Sequence, residues 1–265
     1  MIYDLPKTKN KLVKSIGRLK NARLKNRSFL VEGLKNVSEA LNSRHEVKFI
    51  VVSEDFIKQN SAFIRKQREK ASDISFYRVS DKEFIEISDT VTPQGILAVI
   101  AFQDTRIEHT LVDNYLIFAL DRIQDPGNMG TIIRTADAAG ANSVLVGKGC
   151  VDIYNPKVVR SAMGSLFHIP IVYTDNLVNT LVKLKENGGR IVTTHLLAKK
   201  HYYDVNYKNS TVVVMGSEDE GVTEDVARIS DELVKITMPG NAESLNVAIA
   251  HGIIAFEAVR QRAET

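Results

Sequence analysis

Tryptophan is absent from the 265 residues, and cysteine occurs once, at Cys150. A lone cysteine excludes an intramolecular disulfide. Neither it nor the six histidines fall into CxxC, HxxxH or similar spacings, so no metal is expected. No stretch approaches the ~20 apolar residues that cross a bilayer, and the N-terminal MIYDLPKTKN lacks the apolar centre of a secretory signal. The missing tryptophan also argues against a membrane-surface role. These absences predict a cytoplasmic protein with no membrane partner.

What is present is ordinary globular composition, 44% hydrophobic and 25% charged, in a chain long enough for two domains. The net charge of +3 conceals a strong asymmetry. Residues 1–27 carry nine Lys or Arg against the single acid Asp4, a local +8 that leaves −5 for the remainder. Within this segment Leu12, Ile16 and Leu19 recur at helical spacing, and Lys7, Lys11, Lys14 and Arg18 recur on another face. Four lysines alone would suit a solvated helix face. Nine cations to one acid point to a polyanion, most simply a phosphate backbone.

Residues 29–43 read as a helix, 48–53 as a strand, 54–72 as a helix, and 74–80 and 96–102 as strands, together a small α/β unit. The polar, aperiodic stretch 103–114 reads as a linker. Beyond it, six apolar strand-like runs (YLIFAL, SVLVG, IPIVY, RIVTTHL, TVVVMG, ELVKITM) alternate with helical patterns. That grammar predicts a parallel sheet covered on both faces, with ligands outside the carboxyl ends of its strands.

Three loops in those positions stand out. DPGNMGTIIRTADAAG has Pro126 and Gly127 as a turn, Asn128 as a helix cap, and Arg134 on an otherwise small, apolar helix. In VVVMGSEDEGV, aliphatic Val212–Met215 run into the acids Glu218, Asp219 and Glu220; a solvated turn is the simplest reading of that stretch alone. In ITMPGNAESLNVAIAHG, Ser244 and Asn246 flank the start of a helix whose apolar face is Leu245, Ile249, Ile253 and Phe256.

In this order, across residues 115–260, the three loops closely resemble the motifs of the SpoU (TrmH) family of RNA ribose 2′-O-methyltransferases. FLVEGLKNVSEAL resembles that family's substrate-binding domain, which is L30e-like. The resemblance implies an L30e-like α/β domain over 1–103, a linker over 104–114, and a SPOUT-type methyltransferase domain over 115–265 whose parallel sheet carries a deep trefoil knot. It also implies S-adenosylmethionine as cofactor without a metal, a homodimer, and an RNA partner, ribosomal in preference to transfer RNA. The site residues it implies are Asn128, Arg134, Glu218, Ser244 and Asn246 for chemistry, with backbone contacts to the cofactor from Gly216, Ile236 and Leu245. Asp219 and Glu220 remain assigned to a solvated turn.

The chain departs from the family pattern at Asp219, where Gly is usual, and at Thr237, where Pro is usual. Two rivals are weaker. Gly147-x-Gly149 with Asp152 beyond it resembles half of a dinucleotide fingerprint, but the third glycine and the later strand-end acid are missing. A non-catalytic RNA-binding protein on the same fold is expected to have lost Asn128, Arg134 or the Ser-Leu-Asn of the third motif, and all are present. Arginine stays charged in proteins, so Arg134 is expected either to act on the reacting hydroxyl with a substrate phosphate assisting or to serve as a fixed cation for phosphate and developing alkoxide.

Overall fold

Most strands occupy short apolar runs, and most helices occupy amphipathic ones. A computed structural model describes residues 2–71 and 73–263. The chain divides into two compact units: one runs up to Gln103 and takes in Asp152–Phe167, the other comprises Asp104–Val151 and His168 onward.

The first unit runs β1 (Ile2–Asp4), α1 (Lys7–Arg18), α2 (Lys20–Asn26), β2 (Ser28–Glu32), α3 (Leu34–Asn42), β3 (Val47–Ser53), α4 (Glu54–Gln59), α5 (Ser61–Lys70), β4 (Ser75–Val79), α6 (Asp81–Ile87) and β5 (Ile96–Ala101). Its sheet order is β1-β4-β3-β5-β2. Val13 and Ile16 of α1 and Phe84 and Ile87 of α6 cover Phe49, Val51, Leu97 and Val99 of the sheet.

Three expectations change here. Residues 29–43 are not one helix: the aromatic and β-branched run Phe29–Val31 pairs with β5, and Gly33, at φ 94, turns the chain into α3. The helix expected over 54–72 breaks at Asn60, whose φ of −123 and ψ of 32 leave the helical region and separate α4 from α5. Leu19 leaves the buried face of the basic helix because it ends α1 in extended conformation, 59% exposed, and Val13 takes the core position instead. Periodicity indicates neither β1 nor α6, although Ser80 and Glu83 form a full capping box at the start of α6.

The second unit begins with a 3-10 turn at Ile107–Thr110, inside the stretch read as linker. It continues through β6 (Leu116–Asp121), α7 (Pro126–Ala138) and β7 (Ser143–Gly147). The chain then contributes α8 (Pro156–Ser161) to the first unit. It resumes as β8 (Ile171–Thr174), α9 (Leu177–Glu186), β9 (Arg190–Thr194), β10 (Lys200–His201), β11 (Thr211–Gly216), α10 (Glu224–Ile229), β12 (Glu232–Lys235) and α11 (Val247–Ala263). The sheet order is β10-β12-β9-β11-β6-β7-β8, with every neighbouring pair parallel. Leu177, Leu181 and Leu184 of α9 and Val226 of α10 cover one face. On α11, His251 meets Phe118 of β6 edge-on at 4.2 Å, and α7 packs beside α11.

The helical spacing Ile249–Ile253–Phe256 is not the buried face of α11. Ile249 and Phe256 are 55% and 51% exposed. The buried residues are Val247, Ala248, His251, Ile254, Ala255, Ala258 and Gln261. This helix is apolar around most of its circumference, so periodicity does not select which side meets the sheet.

Asp152, the acid of the dinucleotide alternative, lies in the segment that joins the first unit. Its carboxylate accepts Arg23 Nε and Nη2 at 2.9 and 2.7 Å, in an ion pair whose side chains are only 4% and 9% exposed. Tyr154, two residues on, stacks on Phe102 at 4.0 Å and on Phe29 at 4.5 Å. Asp152 therefore fastens this segment to the first unit.

Candidate active site

Strand β11 ends at Gly216 because the chain doubles back on itself there. A Cβ on Gly216 would lie 2.1 Å from the Gly221 carbonyl carbon and 2.2 Å from the Val222 nitrogen, so only glycine fits. Ser217 and Gly221 then exchange backbone hydrogen bonds of 3.0 Å each. Glu218, Asp219 and Glu220 form the exposed tip of that turn.

Helix α7 begins differently from expectation. Asp125, not Asn128, is the cap: its Oδ1 accepts the Asn128 N–H at 2.8 Å, and Pro126 occupies the first helical position, where a missing N–H costs nothing. The Asn128 side chain is thereby released from capping, and its Nδ2 donates to Glu218 Oε1. Asn246 completes the cluster. Its Nδ2 donates to Asn128 Oδ1 at 3.0 Å and to Glu218 Oε1 at 2.9 Å, while its Oδ1 caps α11 by accepting from Ala248 N at 3.0 Å and Ile249 N at 3.3 Å. One Glu218 oxygen thus gathers two amides from remote parts of the chain, and charge-assisted bonds of this kind hold both side chains in one orientation.

Beside this cluster lies a cavity of about 410 Å³. Gly216, Glu218, Ile236, Ser244 and Leu245 all line it. Arg134 does not. It lies exposed on α7, six residues beyond Asn128, and no hydrogen bond or ion pair to it is found among the described residues. In the first unit Lys7, Lys11 and Arg18 are exposed on α1, whereas Lys14 pairs with Glu86 at 3.0 Å.

Several participants escaped the sequence reading. The cavity wall includes Thr194–Leu197, the loop after β9, whose only signal is a strand running into Thr-His. Glu220 is more than a solvated acid, since its carboxylate pairs with Arg122 Nη1. Thr237 Oγ1 lies 2.8 Å from His201 Nδ1. Burial pushes the Cys150 thiol up to about 11, which removes it from consideration as a nucleophile. Among the described residues no cluster of His, Cys, Asp and Glu is arranged to hold a metal.

This fold is that of a SPOUT-type methyltransferase. It superposes on the SpoU methyltransferase AviRb from Streptomyces viridochromogenes, solved in complex with AdoMet, with a TM-score of 0.85 at 27% identity over 97% of this chain and 99% of that one. An AdoMet-bound rRNA methyltransferase from Sinorhizobium meliloti gives 0.85 at 32% identity, covering 98% and 97%. In sequence, the chain is 36% identical over 255 residues to the 23S rRNA (guanosine(2553)-2′-O)-methyltransferase RlmP of Bacillus subtilis (strain 168), covering 96% of this chain and 98% of the relative. The model of the SpoU rRNA Methylase family matches residues 115–256, and that of the MRM3-like substrate binding domain matches residues 10–98. The chain belongs to the SpoU rRNA methylase family.

Proposed function

We propose that the chain transfers a methyl group from S-adenosylmethionine to a ribose 2′-hydroxyl of ribosomal RNA of the 23S type. The observation that carries this reading is the meeting of Asn128, Glu218 and Asn246 beside a cavity walled by the loops after β9, β11 and β12. The Bacillus subtilis relative is named for this reaction on 23S rRNA, and the match to a substrate binding domain supports an RNA role for the first unit.

The residues present suit the cofactor. Leu196, Leu197, Met215, Ile236, Met238 and Leu245 give the cavity apolar walls for a purine and a thioether-like chain. The tight fold at Gly216 sets the Gly221–Val222 main chain against the end of β11, and Gly216 and Gly221 both line the cavity. When bound, S-adenosylmethionine supplies an electrophilic methyl on a sulfonium.

The protein's part is then positional and electrostatic. The 2′-oxygen would form its bond to the methyl carbon as the carbon–sulfur bond breaks and the electron pair leaves with the neutral thioether. The hydroxyl proton passes to an assisting substrate phosphate and from there to water, while the Arg134 guanidinium stabilises the oxygen's developing negative charge or holds that phosphate. Glu218 keeps the Asn128 and Asn246 amides in place, and Ser244 offers a hydroxyl at the cavity wall. Gly216, Ile236 and Leu245 contribute main-chain contacts to the cofactor.

For the domains we propose 1–103 for substrate binding, 104–114 as linker, and 115–265 as the methyltransferase domain with its knot, a division along the sequence from which Asp152–Phe167 departs by belonging to the first compact unit. Lys7, Lys11, Lys14 and Arg18 are assigned to RNA phosphates, with Lys14 having to exchange Glu86 for phosphate. We assign the chain to the cytoplasm, where ribosomal RNA is modified, and to a homodimer, supported by the exposed Ile249 and Phe256 on α11. Mapping 2′-O-methyl sites across total RNA from cells with and without the gene tests the function: one rRNA nucleotide is expected to lose its methyl. A lost site in tRNA would reassign the substrate, and no lost site would leave an RNA-binding role. Light scattering tests the dimer, which Phe256→Glu is expected to dissociate.

A further inference from the structure

Arg122 follows β6 directly and adopts φ 61, the left-handed region that non-glycine residues seldom enter. Its neighbours hold it there. Asp121 is buried, and its Oδ2 accepts the Thr223 N–H at 2.7 Å; Ile123 is buried on the other side. The unusual backbone sends the side chain past Gly149, itself at φ 95, where a Cβ would come within 3.1 Å of Arg122 Cγ. Gly149 therefore leaves a passage for the arginine stem, which accounts for a glycine that the dinucleotide alternative had claimed.

The guanidinium ends on the turn that carries Glu218. Nη1 pairs with Glu220, Nη2 lies 3.4 Å from the Gly221 carbonyl oxygen, and Nε lies 3.5 Å from Asp121 Oδ1. Among the described residues, Arg122 is the one cation ion-paired to the three consecutive acids 218–220. Those acids repel one another, and apart from the Ser217–Gly221 bridge the turn is held by Glu220 N on Ser217 Oγ at 3.2 Å and by the two amides on Glu218. We infer that Arg122 and Glu220 are positioning residues: their ion pair clamps one side of the 217–221 turn, so that Glu218 on the other side meets Asn128 and Asn246 and the turn keeps its shape as a wall of the cofactor cavity.

The inference rests on the methyltransferase reading, and glycine makes the decisive substitution because it accepts φ 61 without strain while removing the guanidinium together with the stem that passes Gly149. Arg122→Gly is expected to raise the S-adenosylmethionine dissociation constant and lower single-turnover methyl transfer by at least ~10-fold each, because loose placement of a site wall costs about that much or more. Glu220→Gln should move both in the same direction. The charge-reversed double variant R122E/E220R should return to within about threefold of wild type, whereas R122E alone should be the poorest of the set. Arg228→Ala, which breaks the exposed Arg228–Asp225 pair on α10, is the control and should change neither quantity. Wild-type affinity and turnover in Arg122→Gly would overturn the inference. A lowered melting temperature in Arg122→Gly with no rescue in R122E/E220R would likewise overturn it, leaving Arg122 a stabilising residue only. Failure of wild type itself to bind S-adenosylmethionine would remove the methyltransferase reading and this inference with it, an outcome separable from the other two.

Discussion

His251 offers a test of how the catalytic unit is held together, through the dependence of its stability on acid. The imidazole is completely buried against Phe118, and neither ring nitrogen has a hydrogen-bond partner among the described residues. Burial, with no charged neighbour contributing, pushes its pKa down to about 3. The ring is thus neutral when folded, while in the unfolded chain it titrates near 6.5. As pH falls below 6.5 the unfolded state takes up a proton that the folded state refuses, so stability is lost progressively from pH 6.5 down to about 3. Between pH 7.5 and 5 this single group costs roughly 2 kcal/mol, from 1.36 kcal/mol per pH unit over about 1.5 pH units. His251→Leu keeps the volume nearly unchanged and removes the titration. The variant should be at least as stable as wild type at pH 7.5, since it no longer buries two unpartnered polar atoms. At pH 5 it should melt about 4–8 °C above wild type. Calorimetric scans of both proteins at the two pH values measure the difference directly, because every other titrating group is common to both. Parallel loss of stability in the two proteins would refute the reasoning, as would an imidazole resonance of His251 that titrates above pH 5.

Arg134→Ala should leave S-adenosylmethionine affinity within a factor of a few and cut single-turnover transfer at least ~100-fold, a loss of roughly 2.7 kcal/mol. Substantial rescue by Arg134→Lys would mark the role as Coulombic, and its absence as dependent on the planar fork. Charge reversal at Lys7, Lys11, Lys14 and Arg18 should weaken RNA binding and reduce its log–log salt slope by about 0.7–0.9 for each phosphate left unneutralised, with cofactor affinity unchanged by calorimetric titration. Arg262 donates to the carbonyls of Tyr207, Asn114, Asn209 and Tyr115 at 2.9, 2.5, 3.0 and 3.2 Å. Arg262→Leu should therefore cost on the order of 1–3 kcal/mol in denaturant titration by removing the donor to the Tyr207 and Asn114 oxygens, whereas Tyr115 O keeps Thr211 N at 2.8 Å and Asn209 O keeps Thr211 Oγ1 at 2.8 Å. With its thiol pushed up to about 11, Cys150 should react with a disulfide reagent at pH 8 at least ~100-fold more slowly in the folded protein than in urea.

Much of the fold is legible in the chain alone. The stretches 116–120, 144–146 and 212–215 are apolar without a break, as a strand covered on both faces is, and their alternation with helices implies parallel order. The strand at 28–32 is hidden because its apolar run also fits a helical pattern, and only pairing with β5 decides between them. The split of 54–72 at Asn60 is hidden for a related reason: a one-residue break barely disturbs helical periodicity.

The site divides in the same way. The three motifs identify Asn128, Glu218, Ser244 and Asn246 as residues of interest, because their resemblance to a family lies in local sequence. That Glu218 binds the amides of Asn128 and Asn246, 90 and 28 residues away, is decided by which loops the sheet order brings to one end. The same holds for Asp125 as the cap of α7 and for the Arg122–Glu220 pair, where a residue at positive φ reaches an acid that reads locally as a solvated turn. On α11, sequence specifies a helix apolar on nearly every side, and tertiary packing alone turns the small residues Ala248, Ala255 and Ala258 inward and leaves Ile249 and Phe256 facing out. Local propensity and periodicity act over a few residues and are written in the chain; the choice of partner depends on closing loops of many tens of residues, and only the folded sheet makes it.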